Sequence, residues 1–182
     1  AVLAFENRSA DKDNEYFSDG VAEEILNSLA KVKDLKVAGR TSSFFFKGKN
    51  ESLSTIGKTL GVAHVLEGSV RKQGDKLRIT AQLIRASDSS HLWSETYDRS
   101  LDDVFAIQDE ISAAIGEALR VELKLGTGEE AEAPRVAESS NTAAYEAYLS
   151  GRHLVNQRGR SNIAQAVEEL KRAVRLDPEF AP

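Results

Sequence analysis

Gly57-Lys58-Thr59 is the first group of residues whose types could do chemistry. Such a triplet closes the phosphate-binding loop of nucleotide triphosphatases, where backbone amides wrap the phosphates and the lysine reaches the terminal ones. That loop needs a glycine five residues ahead of Gly57, and Ser52 stands there. The triplet also lies inside a helical pattern, so helix packing is the preferred reading. Asp11, Asp13 and Glu15 have the alternate spacing of a calcium loop, but Tyr16 occupies the place of the sharp-turn glycine. A solvated acidic loop is the simpler account. His64, His91 and His153 stand apart, with no His-Glu-x-x-His pair, and His64 reads as a hydrogen-bonded structural residue in an apolar strand. With no Cys, disulfides and cysteine-based zinc sites are excluded, and the redox compartment stays open. No Gly-x-Ser-x-Gly elbow supports serine hydrolysis. The residues therefore assign no catalytic group, no cofactor and no metal.

Charge is segregated along the chain. The net charge of −5 combines −5 over residues 1–30, +8 over residues 31–85 and −8 over residues 86–182. In the basic segment Lys31, Lys33, Lys36, Arg40, Lys47 and Lys49 flank Phe44-Phe45-Phe46, while Lys76 and Arg78 alternate on a strand. Cations interleaved with aromatics can bind single-stranded nucleic acid through phosphates and stacking. The acidic whole and the lack of a recognition signature favour a charged exterior around an apolar anchor. Nucleic-acid binding through residues 31–85 and a small nucleotide-binding or enzymatic domain stand as the two alternatives.

The elements that would position these residues centre on Val62 to Tyr97. Val62 to Val70 reads as a mostly buried strand, and Gln73-Gly74-Asp75 as a turn. From Lys76 to Arg85 the pattern alternates strictly, with Leu77, Ile79, Ala81 and Leu83 on one face. After Ser87-Asp88-Ser89-Ser90, His91 to Tyr97 completes an antiparallel meander. Upstream, Ala1 to Phe5 reads as a strand, and a helix capped by Asp19 runs to about Val32. Leu35 to Ala38 reads as a second strand, Thr41 to Asn50 as a loop, and Ser54 to Leu60 as a short helix. Downstream, Ser100 and Asp103 form a capping box for a long helix that stops near Gly126. The order predicts one α/β domain with a mixed sheet packed by helices over residues 1–125.

Residues 126–141 read as a linker, opening on the small, acidic run Gly126 to Pro134. Residues 142–182 then show purely helical periodicity. Tyr145, Tyr148, Leu149 and Leu154 mark one helix; Ile163, Ala166, Val167, Leu170, Ala173 and Val174 mark a second, capped by Ser161. A hairpin of two helices cannot bury both its faces, so Ile163, Val167, Leu170 and Val174 are the candidate interaction surface. No apolar run approaches the roughly 18 residues of a membrane span. With no start Met and an apolar run at Ala1, the chain reads as a fragment of a longer protein.

Several short motifs together carry a family resemblance. Ala1-Val2-Leu3-Ala4-Phe5-Glu6-Asn7, Glu15-Tyr16-Phe17-Ser18-Asp19-Gly20, Arg40-Thr41-Ser42-Ser43-Phe44, Leu66-Glu67-Gly68-Ser69-Val70-Arg71, His91-Leu92-Trp93-Ser94-Glu95 and Phe105 to Ile111 follow in order. Over about residues 1–121 they resemble the TolB N-terminal-like (FlgO-like) domain. The resemblance implies a bacterial module between a membrane-tethered signalling output, such as a transcription regulator, nucleotide cyclase or kinase, and a tetratricopeptide array. It implies no catalytic residues; Gly20 and Gly68 would serve tight backbone and Trp93 packing. The hairpin resembles a first, atypical tetratricopeptide repeat, with Gly151, Ala166, Leu170, Ala173 and Pro178 in the pattern and an extended turn through Arg158-Gly159-Arg160. The expected partner is a protein or peptide held by the helical repeats, with a second copy of the chain as one candidate. Any membrane contact would come through flanking segments, on a side the residues leave open.

Overall fold

A computed structural model describes residues 1–33, 35–122, 141–157 and 160–180. Its centre is a four-stranded mixed sheet in the order β1-β2-β3-β4. β2 (His64–Gln73), β3 (Lys76–Arg85) and β4 (His91–Ser100) form the antiparallel meander, with Ile79 opposite Val70 on one side and Tyr97 on the other. Gly74 turns the first hairpin at φ +57°, a conformation that side chains bearing a Cβ rarely adopt. The alternation in β3 is realised: Leu77, Ile79, Ala81 and Leu83 are buried, whereas Lys76 and Arg78 are exposed. Between Leu83 and Ile84 the pairing with β4 shifts register, and both residues are buried, on opposite faces of the strand.

The apolar run at the N-terminus lies parallel to β2. Leu3 donates its amide to the Leu66 carbonyl at 2.9 Å, and the Leu66 amide donates to the Ala1 carbonyl at 2.8 Å. Regular pairing is confined to β1 (Glu6–Asn7), beyond the predicted Ala1–Phe5. Because residues 1–8 occupy this edge, Leu35 to Ala38 does not join the sheet. It runs outside any ladder, with Leu35 and Val37 packed on the core.

Helices cover most of one face. α1 (Glu15–Ala30) starts four residues before the predicted Asp19 cap, with Asn14 at its N-cap. The reason lies in Phe17, which is fully buried and extends the apolar stripe one turn earlier. α2 (Arg40–Phe44) replaces the start of the predicted loop. α3 (Leu53–Leu60) is capped by the Ser52 hydroxyl, which accepts from the Thr55 amide. α4 (Val104–Glu122) follows a 3-10 turn, Leu101–Asp103, that carries the Ser100/Asp103 capping box. The main core gathers Val2, Phe5, Phe17, Ile25, Leu66, Ile79, Ile107 and Ile111 between sheet, α1 and α4. A smaller cluster of Phe46, Ile56, Val65 and Ala86 covers one end of the opposite face.

α5 (Thr142–Asn156) and α6 (Arg160–Leu176) form the hairpin. Asn141 caps α5 by accepting from the Ala143 and Ala144 amides, and its side-chain amide donates to the Leu176 carbonyl at 3.0 Å. The helix is described from Arg160, with the predicted cap residue Ser161 in its first turn. Most of the predicted linker, residues 126–140, and the turn residues Arg158 and Gly159 lie outside the described residues. No described helix is long and apolar enough to cross a membrane.

Candidate functional site

The residues singled out for chemistry are dispersed and locally engaged. Gly57 sits in α3, where an added Cβ would fall 2.5 Å from the Ala86 Cβ, and the Thr59 hydroxyl donates to the Thr55 carbonyl. Asp11 accepts from the Asp13 amide and caps a 3-10 turn, while Glu15 pairs with Lys47 at 2.5 Å. His64, His91 and His153 lie on β2, β4 and α5. Among the described residues no group of three or more His, Asp or Glu is placed to hold a metal ion.

Of the residues in the basic segment, Arg40 pairs with Glu23, Arg78 with Asp98, and Arg85 with Asp88 and Glu122. Phe46 is buried in the smaller cluster, and the Phe44 ring lies beneath the Arg40 guanidinium. Phe45 is the exposed member of the triplet, with the Lys49 ammonium over its ring.

What the structure does bring together is the seam where α5 meets α1 and α4. Tyr145 is 1% exposed, and its ring is 4.5 Å from that of Phe105 and 6.4 Å from that of Phe17. Its hydroxyl accepts a hydrogen bond from the Gln108 amide at 2.7 Å. Burial drives the phenol pKa far above its ordinary range, so it stays neutral. One turn on, Leu149 lies on Gly20, where a Cβ would be 2.6 Å from its Cδ2. Another turn on, the Arg152 guanidinium donates to the Glu23 and Glu24 carboxylates and to the Tyr148 hydroxyl. Burial holds the Glu24 carboxyl above its ordinary value despite Arg152. Asp19 lies in the same seam, 2.5 Å from the Lys47 ammonium and 3.6 Å from His153 Nδ1. Burial pushes the Asp19 carboxyl up, but hydrogen bonds from His153 and Lys47 outweigh it, and its pKa falls below the ordinary value.

None of these seam contacts is visible in local spacing. The available signal was the width of α1's apolar surface: Phe17, Val21, Ala22, Ile25, Leu26 and Leu29 spread over about half the helix circumference, and in the structure Asp19, Gly20 and Glu24 are buried among them. Such a helix needs a neighbour beyond the sheet.

The second helix of the hairpin presents a different surface. Ala166 and Ala173 are buried, and Leu170 rests on Gly151, where a Cβ would lie 2.7 Å from its Cγ. This is the close approach that small residues permit. On the outer side Ile163, Val167 and Val174 are 54%, 44% and 59% exposed, with Leu170 half-buried between them. Val167, Leu170 and Val174 line an open groove rimmed by Lys171 and Arg175. The other singled-out residues have structural surroundings: a Cβ on Gly68 would sit 2.5 Å from the Thr80 carbonyl oxygen, and half-buried Trp93 packs against the main core.

No protein-family model matches the chain. A curated protein of Rhizobium meliloti (strain 1021), named "Putative adenylate cyclase 3", is 40% identical over 181 residues. The match takes in 100% of this chain and 30% of that protein, so the chain spans less than a third of its relative. Among solved structures, TolB from Acinetobacter baumannii superposes over 65% of this chain and 27% of its own, at 17% identity and a TM-score of 0.43. Lipoprotein GNA1162 from Neisseria meningitidis covers 70% of this chain and 96% of its own, at 14% identity and a TM-score of 0.43. LpoB from E. coli covers 53% of each chain, at 17% identity and a TM-score of 0.43.

Proposed function

We propose that this chain is a non-enzymatic interaction region of a bacterial signalling protein, its α/β domain carrying the first rung of a tetratricopeptide array. The observation that carries this reading is the stripe Ile163–Val167–Leu170–Val174, which leaves three large aliphatic side chains in water along one helix. Stacked helical repeats bury such stripes against the next helix and leave a concave face for peptides or partner domains. α5 spends its apolar face on α1 and α4, so α6 is the helix left to receive a neighbour. The signalling assignment draws on the relative named as an adenylate cyclase, of which this chain matches a minority of the length. The division into residues 1–125 and 142–182, with 126–141 as linker, belongs to this same reading.

The test is a fusion that places a consensus tetratricopeptide hairpin after Phe180. Slower amide exchange across Val167–Val174 and a higher melting temperature are expected. Val167→Asp with Val174→Asp should remove both gains. If the fused hairpin leaves α6 exchange unchanged, the array reading fails.

A further inference from the structure

We propose that β4 is an interface strand, whose free edge pairs antiparallel with β4 of a second copy of this chain. The two sheet edges are unlike. At the β1 edge regular pairing is limited to two residues, a short edge of the kind that discourages docking. β4 is ten residues long, about twice the usual strand, and among the described residues it pairs only with β3. Its register irregularity lies at the His91 end, which leaves Trp93 to Ser100 in regular pairing. The strand His91–Ser100 contains no Pro, no Gly and no Lys, the usual devices that blunt an edge. Ser94, Glu95, Thr96, Asp98, Arg99 and Ser100 are exposed. A row of unpaired backbone donors and acceptors is thereby offered to another strand.

Charge selects the occupant and the register. Consider pairings that keep the helices of both copies on the same side of the joined sheet. Centred on Tyr97, each Glu95 stands opposite Arg99 of the other copy, and each Thr96 opposite Asp98. Opposite charges placed directly across strands stabilise, and like charges destabilise. Centring on Glu95, Asp98 or Arg99 sets a residue against its own charge, and centring on Thr96 pairs no charges at all. Within one chain neither member of the pair is firmly held. Arg99 is 4.0 Å from Glu110 at the limit of an ion pair and donates to the neighbouring Asp98 carbonyl at 3.4 Å, and Glu95 accepts one hydrogen bond from the Tyr97 hydroxyl at 3.1 Å. The strand is thus self-complementary in one register, as a two-fold interface requires.

Light scattering on this chain over a wide dilution range tests the proposal, with melting curves to confirm that each variant folds. The wild type should form dimers that dissociate on dilution. Glu95→Arg or Arg99→Glu alone should weaken association roughly tenfold, and the two together should restore it. The chain has no native Cys, so engineered thiols report register without interference. A mixture of Thr96→Cys and Asp98→Cys chains should cross-link faster through a short bifunctional reagent than either alone. Val167→Asp should leave this dimer intact, which separates it from association through α6. A wild type that stays monomeric at the highest attainable concentration overturns the proposal, as does one that binds only an extended peptide of another protein at this edge. Dimers lost with Val167→Asp and indifferent to Glu95→Arg overturn it too.

Discussion

Leu149 of α5 fills the space that a side chain at residue 20 of α1 would need, with its Cδ2 2.6 Å from where a Cβ would stand. Gly20→Val should therefore push α5 off α1, because the helix backbone on one side and the buried leucine on the other leave no room. Overpacking of this kind costs about 1–3 kcal/mol. Leu149→Ala in the same chain should recover part of that loss. Urea titrations of the two single variants and the double variant would show the coupling. Strict additivity would mean that the two helices do not meet.

Tyr145 anchors the hairpin by shape and by one buried hydrogen bond. Tyr145→Phe keeps the ring packing against Phe105 and Phe17 but leaves the buried Gln108 amide without its acceptor, a loss of about 1–3 kcal/mol. Tyr145→Ala adds a cavity and should cost about 3–5 kcal/mol, near the values for large aromatic truncations. Amide exchange across Thr142–Asn156 should accelerate in both variants, and more in the second.

Asp19 gives the seam a dependence on acidity. Its folded-state pKa lies below the ordinary 3.8, so the folded state binds the proton less readily than the unfolded chain. The stabilisation is then complete above that value and is lost as the pH falls through the lower folded-state value. Asp19→Asn should flatten the acid limb of a stability profile below about pH 4 while lowering stability at neutrality. Glu24 runs the other way. Its raised pKa favours the folded state below the ordinary 4.5, an advantage lost as the pH rises through the folded-state value. An unchanged acid limb in the Asp19→Asn variant would remove Asp19 as its source.

On β3 the two faces should respond unequally. Ile79 is fully buried between Val70 and Tyr97, and Ile79→Ala should cost about 2–5 kcal/mol. Arg78→Ala, which removes an exposed pair with Asp98, should leave the denaturation midpoint unchanged at moderate salt. Equal shifts would mean that the strand faces are exchanged.

The meander was legible because period-two alternation and turn residues act over a few neighbours, and Leu77 to Leu83 states its buried face outright. The capping box at Ser100 and Asp103 was legible for the same reason. Asp19 was misread as a cap because a carboxylate near a helix start usually is one, and the partners that satisfy it in its buried place, Lys47 and His153, come from far along the chain. Leu35 to Ala38 has the composition of a strand, but whether it pairs depends on which segment takes the β2 edge. The α6 stripe showed in its spacing. The seat of Tyr145 did not, since nothing local to it points to Gln108, Phe17 or Phe105.

The parallel placement of the N-terminal run against β2 sets an order of events during folding. The meander closes through two hairpins whose partners are near in sequence. Leu3 reaches Leu66, and Arg8 reaches Val70, only after the intervening chain has been looped back. Loop-closure entropy makes such a contact late, and contacts distant in sequence slow folding. The β2 edge should therefore stand open while β3 and β4 are already paired, and in pulse-labelled refolding the Leu3 and Arg8 amides should gain protection after those of β3. Until then the growing sheet has two unsatisfied borders, and the chain is at its most adhesive before residues 1–8 return to cover one of them.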